Sequence, residues 1–245
     1  MQRKIVPFTE PARMPPGLSV IAIGDVHGHL ALLDPILRQA QILAAQAPQR
    51  RHVVISLGDL VDRGPESAGV IARLMGGVPG CEVIVLRGNH ETLMLDFLAG
   101  SPAATVWLNW GGLATLQSYG IAADHFSTGG NEVELLRRLF RAKIPASHLA
   151  FLKACPLSVT FGDYFFVHAG ARPGIPLDQQ MEQDLIWIRE EMHDSPYRFE
   201  KRIVHGHTPV NEPRIGPNQI NIDTGACYGG QLTALLFEDD RIHLL

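Results

Sequence analysis

The chain has 245 residues, enough for one well-packed domain and short for two. Hydrophobic residues make up 46% and charged residues 19%, which is the balance of a globular protein and excludes extensive disorder. The net charge of −4 leaves no positive footprint for a nucleic acid or an anionic membrane, so phosphate chemistry would need its positive charge from metal ions and a few arginines.

Cys81, Cys155 and Cys227 are scattered, without a C-x-x-C pair, so neither a disulfide framework nor a zinc ribbon is indicated. Pro7, Pro11, Pro15 and Pro16 interrupt any apolar core of a signal peptide. No stretch approaches the roughly 20 apolar residues that span a bilayer. The expected compartment is the cytoplasm, with no nucleic-acid or membrane partner.

Residues 1–17 read as an irregular, Pro-rich arm, and 18–245 as a single domain. The apolar run Leu18 to Ile23 predicts a buried strand that ends at Gly24-Asp25. Leu30 to Ala47 has helical periodicity. Val53 to Leu57 predicts a second strand, running into Gly58-Asp59. Ser67 to Met75 reads as a helix, and Val83 to Leu86 as a strand ending at Gly88-Asn89. This alternation predicts a largely parallel sheet. The segment 100–152 reads as a helical elaboration, broken at Gly111-Gly112 and Gly129-Gly130. Ser158 to Phe161 and Tyr164 to Val167 flank Gly162-Asp163, a hairpin signal. Further strands are expected at Ile203-Val204, Ile220 to Ile222, Leu232 to Phe237 and Arg241 to Leu244.

Polar residues fall in a pattern along these elements. Three successive strands end in a glycine followed by a metal-competent side chain: Asp25 with His27, Asp59, and Asn89. Later strands end at His168 and near His207. The carboxyl ends of strands in an open α/β sheet converge on one crevice. One Gly-Asp is ordinarily a turn, and one histidine after an apolar strand is ordinarily a hydrogen-bonded interior residue. Five such sites at strand ends are not explained by turn chemistry. Their mixed oxygen and nitrogen donors, without sulfur, suit Mn²⁺, Fe or Zn²⁺.

Gly24-Asp25-Val26-His27-Gly28, Gly58-Asp59-Leu60-Val61-Asp62-Arg63-Gly64 and Gly88-Asn89-His90-Glu91 resemble the signature motifs of the calcineurin-like metallophosphoesterases. Asp62-Arg63-Gly64 and His90-Glu91 are similar to the phosphoprotein phosphatase branch. The resemblance continues through His168-Ala169, Trp187-x-Arg189, Gly206-His207-Thr208-Pro209 and Asp223-Thr224-Gly225-Ala226, blocks most like the small bacterial and phage enzymes of that branch. It covers roughly residues 18–237. It implies an α/β (α+β sandwich) fold, with two central mixed β-sheets flanked by helices and the metal site at the carboxyl ends of the strands.

The resemblance further implies two divalent ions, Mn²⁺ foremost and Fe or Zn²⁺ as alternatives. Asp25, His27 and Asp59 would hold one ion, and Asp59, Asn89, His168 and His207 the other, with Asp59 as bridge. A bridging hydroxide would then attack a phosphate monoester in line. His90 would be the general acid, oriented by Asp62, because imidazole titrates near working pH. Arg63, Arg189 and Asn89 would bind the substrate phosphate, the arginines through paired hydrogen bonds. Glu91 is expected to support the site from behind, His205 to be structural, and Tyr228 to wall the cleft.

The expected activity is that of a serine/threonine, or dual-specificity, protein phosphatase acting on a phosphorylated protein or peptide. A symmetrical dinucleoside polyphosphate hydrolase is the alternative on the same scaffold; its pattern carries Ala for Asp62 and Asp for Glu91. A phosphodiesterase would carry histidine where Pro209 stands, and a non-enzymatic binding module would show damage to the ligand set, which is intact.

Overall fold

The computed structural model describes residues 12–101, 104–122, 130–193 and 195–245. The chain builds two five-stranded sheets packed face to face, with helices on both outer faces.

The first half runs β1 (Leu18–Ile23), α1 (Leu30–Gln46), β2 (Arg51–Ser56), α2 (Ser67–Met75) and β3 (Cys81–Val85). The strands β1, β2 and β3 are parallel, as the alternation with helices requires. Next come α3 (Asn89–Ala99), α4 (Ala104–Trp107), a π-turn at Leu108–Gly112, α5 (Leu113–Ser118), α6 (Gly130–Lys143) and α7 (Ala146–Ala154). The described part of 100–152 is mostly helical, with non-helical turns at 119–122 and 144–145, and the predicted break at Gly111-Gly112 falls in that π-turn, where Gly111 has φ +111°. Residues 1–11 of the Pro-rich arm, and the Gly129 half of the second predicted break, lie outside the described residues.

The second sheet starts with the hairpin β4 (Ser158–Phe161) and β5 (Tyr164–Val167), turning at Gly162-Asp163 as its sequence predicts. Two short helices follow, α8 (Glu182–Trp187) and α9 (Glu190–His193). Then come β6 (Arg202–His205), β7 (Arg214–Ile215), β8 (Gln219–Asn221), β9 (Ala234–Glu238) and β10 (Arg241–Leu244). Sheet order is β10-β9-β1-β2-β3 in the first sheet and β4-β5-β6-β8-β7 in the second. Each sheet is mixed: three parallel strands carry antiparallel neighbours, β9 and β10 in one, β4 and β7 in the other. The single largely parallel sheet read from periodicity is thus two mixed sheets, because the antiparallel strands come late in the chain and return to earlier ones.

Strand alternation sorts the core into three layers. Val20 and Ala22 of β1, with Val53 and Ile55 of β2 and Phe237 of β9, face the second sheet and meet Tyr164, Phe166 and Val204. Ile21, Ile23 and Val54 face the other way, onto Leu33 and Leu37 of α1 and Val70 and Ile71 of α2. Phe165, Val167 and Ile203 close the far side against Leu185, Ile186 and Met192. At about 25 cal/mol per Å² of apolar area, burial of side chains as large as Phe166 and Phe237 fixes the register of both sheets, since a one-residue slip would expose them.

This arrangement aims six parallel strand ends at one place. Chain leaving β1, β2 and β3 delivers Asp25, Asp59 and Asn89; chain leaving β5, β6 and β8 delivers His168, His207 and Asp223.

Candidate metal centre and cleft

Backbone strain concentrates where these strands end. Six non-glycine residues have positive φ among the described residues, and five belong here: His27 (43°), Asp59 (50°), Asp62 (74°), Arg63 (68°) and His207 (65°). Such conformations each cost on the order of 1 kcal/mol or more and persist only where surrounding bonds over-determine them. Glu91 supplies part of that determination. Its buried carboxylate accepts the N–H groups of Asp59 (2.9 Å), Leu60 (2.7 Å) and Gly88 (2.9 Å), tying the turn after β2 to the start of α3. Burial, then the Asp59 charge, pushes the Glu91 carboxyl up to about 7, against those N–H donors.

Asp59 lies at the centre. Its Oδ1 is 3.4 Å from His168 Nε2, while its Oδ2 is 3.5 Å from His27 Nε2 and 3.9 Å from His90 Nε2. One carboxylate thus presents an oxygen to each of two donor sets, which the geometry groups as His27–Asp59–His90 and Asp59–His168–His207. Burial works against the Asp59 charge, and the surrounding histidines, His168 first, more than offset it, so Asp59 stays a carboxylate.

The histidine tautomers are set from behind. His27 Nδ1 donates to the Val61 carbonyl at 2.8 Å and His168 Nδ1 to the Leu57 carbonyl at 2.9 Å, which leaves each Nε2 as a lone pair facing the cavity. His207 Nε2 is buried with no hydrogen-bond partner. The second lone pair, on His168, faces Asn89 Oδ1 at 2.9 Å, an acceptor against an acceptor. Two donors bound at right angles to one ion, each ~2.1 Å away, sit ~3 Å apart, so a shared cation resolves this contact. Burial lowers the His27 ring to about 3 and the His207 ring to about 2, keeping both neutral, the form that binds metal.

Asp25 is buried and accepts the His207 N–H at 3.1 Å through Oδ2. Burial raises its carboxyl well above the ordinary value, and the nearby Asp223 and Asp59 charges raise it further. Asp223 itself is pushed up to about 6, by burial first. Among the described residues these three buried carboxylates have no lysine or arginine salt bridge, so a bound cation would relieve their mutual repulsion. The donor set, the orphaned nitrogen and this field all fit divalent metal.

Every residue named from the sequence is here, though with different contacts. Asp25, His27, Asp59, Asn89, His90, His168 and His207 are buried around the centre. Asp59, Asn89, His90, His207, Arg63, Arg189 and Tyr228 line one cleft of about 670 Å³. Asp25 spends its carboxylate on the His207 amide and lies outside both metal-competent groups, whereas His90 falls inside one. Arg63 donates to His27 Nε2 (2.7 Å), lies 3.0 Å from His90 Nε2 and rests over the Tyr228 ring. Arg189 reaches Thr208 Oγ1 at 3.4 Å. His205 is buried against the His193 ring, away from the cleft lining.

His90 Nδ1 donates to Asp62 Oδ2 at 2.7 Å. Burial works against a charge on the His90 ring, but Asp59 and this hydrogen bond outweigh it and lift the ring above the ordinary histidine value. Missed by sequence reading were Asp223 as part of the acidic cluster and the exposed Trp110, which stands at the cleft mouth, edge to face with Trp187 at 5.6 Å. Asp223 could have been found by the rule that gave the others, since it follows the end of a parallel strand.

A two-layered β-sandwich whose strand ends converge on paired His/Asp donor sets sharing one aspartate defines a metallophosphoesterase site. The chain belongs to the calcineurin-like phosphoesterase family, whose pattern it matches over residues 18–243, and it is a phosphoester hydrolase. It is 30% identical over 220 residues to serine/threonine-protein phosphatase 1 of Salmonella typhimurium, covering 87% of this chain and 89% of the relative. It is also 29% identical over 236 residues to the asymmetrical bis(5'-nucleosyl)-tetraphosphatase PrpE of Anoxybacillus flavithermus, covering 89% of each. In fold it is similar to a cold-active protein-tyrosine phosphatase of a psychrophilic Shewanella, with TM-score 0.57 and 16% identity over 97% of this chain and 85% of that one. Among the described residues, no helix is long and apolar enough to cross a membrane.

Proposed function

We propose that the protein is a binuclear-metal phosphomonoesterase acting on phosphorylated serine or threonine in proteins. The observation that carries the binuclear reading is Asp59, with one oxygen toward His168 and the other toward His27. In this reading His27 and Asp59, with Asp25 turned toward them, hold one ion, and Asp59, Asn89, His168 and His207 hold the second. The ions, when bound, neutralise phosphoryl charge and acidify a water molecule to serve as nucleophile at neutral pH.

The chain's own groups do the rest. Arg63 and Arg189 both line the cleft, and in this reading they donate to the non-reacting phosphate oxygens, which fixes the phosphorus for in-line attack. Asn89 adds a donor beside them. His90, held protonated by Asp62, gives its Nε2 proton to the departing serine or threonine oxygen, which is otherwise a poor leaving group. The retention of Asp62 and Glu91, and the identity to the Salmonella phosphatase, support a protein substrate.

A second reading, hydrolysis of dinucleoside polyphosphates, is favoured by one feature. Trp110 (46% exposed) and Tyr228 (67% exposed) flank the cleft and offer faces on which a nucleobase can stack. The PrpE relatives point the same way, although they are asymmetrical tetraphosphatases and the alternative expected from the sequence is the symmetrical cleavage. The test is kcat/KM for a phosphoserine peptide against diadenosine tetraphosphate. A ratio of tenfold or more toward the peptide is expected, and the reverse ratio establishes the second reading.

We further take Mn²⁺ as the resident ion, from the mixed nitrogen and oxygen donors, and the cytoplasm as the compartment. Elemental analysis of the natively purified protein and fractionation of its cells check these two points; stoichiometric Zn²⁺ or a membrane-bound pool contradicts them.

A further inference from the structure

We propose that Trp107 and Thr115, from the helical segment between β3 and β4, are positioning residues that lock the Asp62 carboxylate in the orientation from which it aims His90 into the cleft. The inference rests on the reading of His90 as general acid.

Trp107 Nε1 donates to both oxygens of Asp62, at 2.9 Å to Oδ2 and 3.1 Å to Oδ1. Thr115 Oγ1 donates to Oδ1 at 2.6 Å, and His90 Nδ1 to Oδ2 at 2.7 Å. The same threonine oxygen accepts the Asp62 N–H at 2.8 Å, joined by Ser67 Oγ at 3.0 Å. Both ends of Asp62 are therefore pinned, while its backbone sits at φ 74°. An indole N–H can only donate, so the contact has one polarity: Asp62 must accept.

A core tryptophan needs one acceptor for its N–H, and any nearby carbonyl would serve. Here two side chains, 45 and 53 residues away in sequence, converge on one buried carboxylate that already holds the catalytic histidine. Trp107 is itself immobilised. It is fully buried, tilted on Phe97 at 4.7 Å and stacked on Phe140 at 5.8 Å. With both outer donors fixed, Asp62 has no rotation left that keeps them and moves His90. Without them it is free to turn, and the imidazole loses its aim.

General-acid assistance matters in proportion to how poor the leaving group is. A misaimed His90 therefore slows substrates with basic leaving groups and spares those with acidic ones. A loss of fold, metal or phosphate binding slows all alike. The experiment measures kcat across a series from 2,4-dinitrophenyl phosphate through phenyl phosphate to a phosphoserine peptide. It uses full-length, Mn²⁺-reconstituted wild type, Trp107→Phe, the near-isosteric Thr115→Val, and His90→Asn as the reference.

For Trp107→Phe and Thr115→Val we expect about 10- to 100-fold lower kcat on phenyl phosphate, against the 10²-fold or more typical of losing the acid outright. On 2,4-dinitrophenyl phosphate the loss should stay below about threefold, with KM and bound metal unchanged. In metal-free protein, the His90 Nδ1 proton should resonate downfield in the wild type and move upfield in Thr115→Val. A uniform loss across the series in Thr115→Val, while His90→Asn remains leaving-group dependent, overturns this inference alone. A uniform loss in His90→Asn itself overturns the general-acid reading and this inference with it.

Discussion

Gly88 and Asp59 share one volume: a side-chain carbon on Gly88 would collide with the Asp59 oxygen that faces His168. The glycine lets the start of α3 come down onto the carboxylate, and His90 N–H then donates to that same oxygen at 3.1 Å. Gly206 makes the matching approach to the Asp25 carboxylate. These glycines are close-packing requirements of the metal centre, and neither needs a positive φ.

Gly88→Ala should therefore displace Asp59 without unfolding the sandwich. The expected outcome is loss of bound Mn²⁺ and at least about a 100-fold fall in kcat, comparable to deleting a catalytic contact worth ~3 kcal/mol. Elemental analysis beside circular dichroism measures both. Retained metal with activity within a few-fold of wild type would show that the helix can yield.

Arg63 and Arg189 should differ in how much they contribute. Arg63 is held in place by His27, His90, the Cys227 sulfur and the Tyr228 ring, so its guanidinium is already ordered. Among the described residues Arg189 makes one long side-chain hydrogen bond, to Thr208, and is expected to be ordered by the substrate. Arg63→Ala is expected to lower kcat/KM by about 100-fold and Arg189→Ala by about 10-fold, within the range of charge-assisted hydrogen bonds to phosphate. Inorganic phosphate inhibition should weaken in the same order. Wild-type phosphate affinity in Arg63→Ala would contradict its role as a clamp.

Away from the site, α1 is tied to α2 by Asp34, which accepts from Arg73 Nε at 2.7 Å and from Arg38 NH2 at 3.3 Å. The Arg73 hydrogen bond holds the Asp34 carboxyl below its ordinary value, a little burial opposing it and Arg38 adding to it. A lowered folded-state value means stability that is complete above the unfolded pKa of about 3.9 and lost as pH falls through the folded one. Asp34→Asn should thus be less stable than wild type at pH 7 and pH 5, by roughly 0.5 kcal/mol given the partial exposure of the pair, with the gap closing below about pH 3. Urea midpoints at the three pH values test this. A gap that persists unchanged at low pH would mean that the ion pair is not its source.

Local signals were enough to read most of the site. Asp25, His27, Asp59, Asn89 and His168 each fall within four residues of a strand's last residue, and a strand end is visible in a short window of sequence. The hairpin at Gly162-Asp163 was legible for the same reason. What could not be read depends on contacts across the chain. Glu91 was expected to support the site, but the backbone groups of the turn after β2 that it holds were not legible, and Trp107 and Thr115 reach Asp62 from a segment whose sequence shows only helical composition. The two-residue strand β7 exists only because β8 pairs with it. The division into two mixed sheets likewise follows from β9 returning antiparallel to β1, a pairing that no local window contains. The family resemblance supplied that division where periodicity could not.

The central claim is that one aspartate serves two ions. Isothermal titration of metal-free protein with Mn²⁺, for wild type and Asp59→Asn, tests it most directly. Two ions per chain in the wild type are expected, with both affinities falling steeply in Asp59→Asn and phosphatase activity abolished. A single ion per chain in a fully active wild type, or an Asp59→Asn variant that loses one site and keeps its turnover, would contradict it.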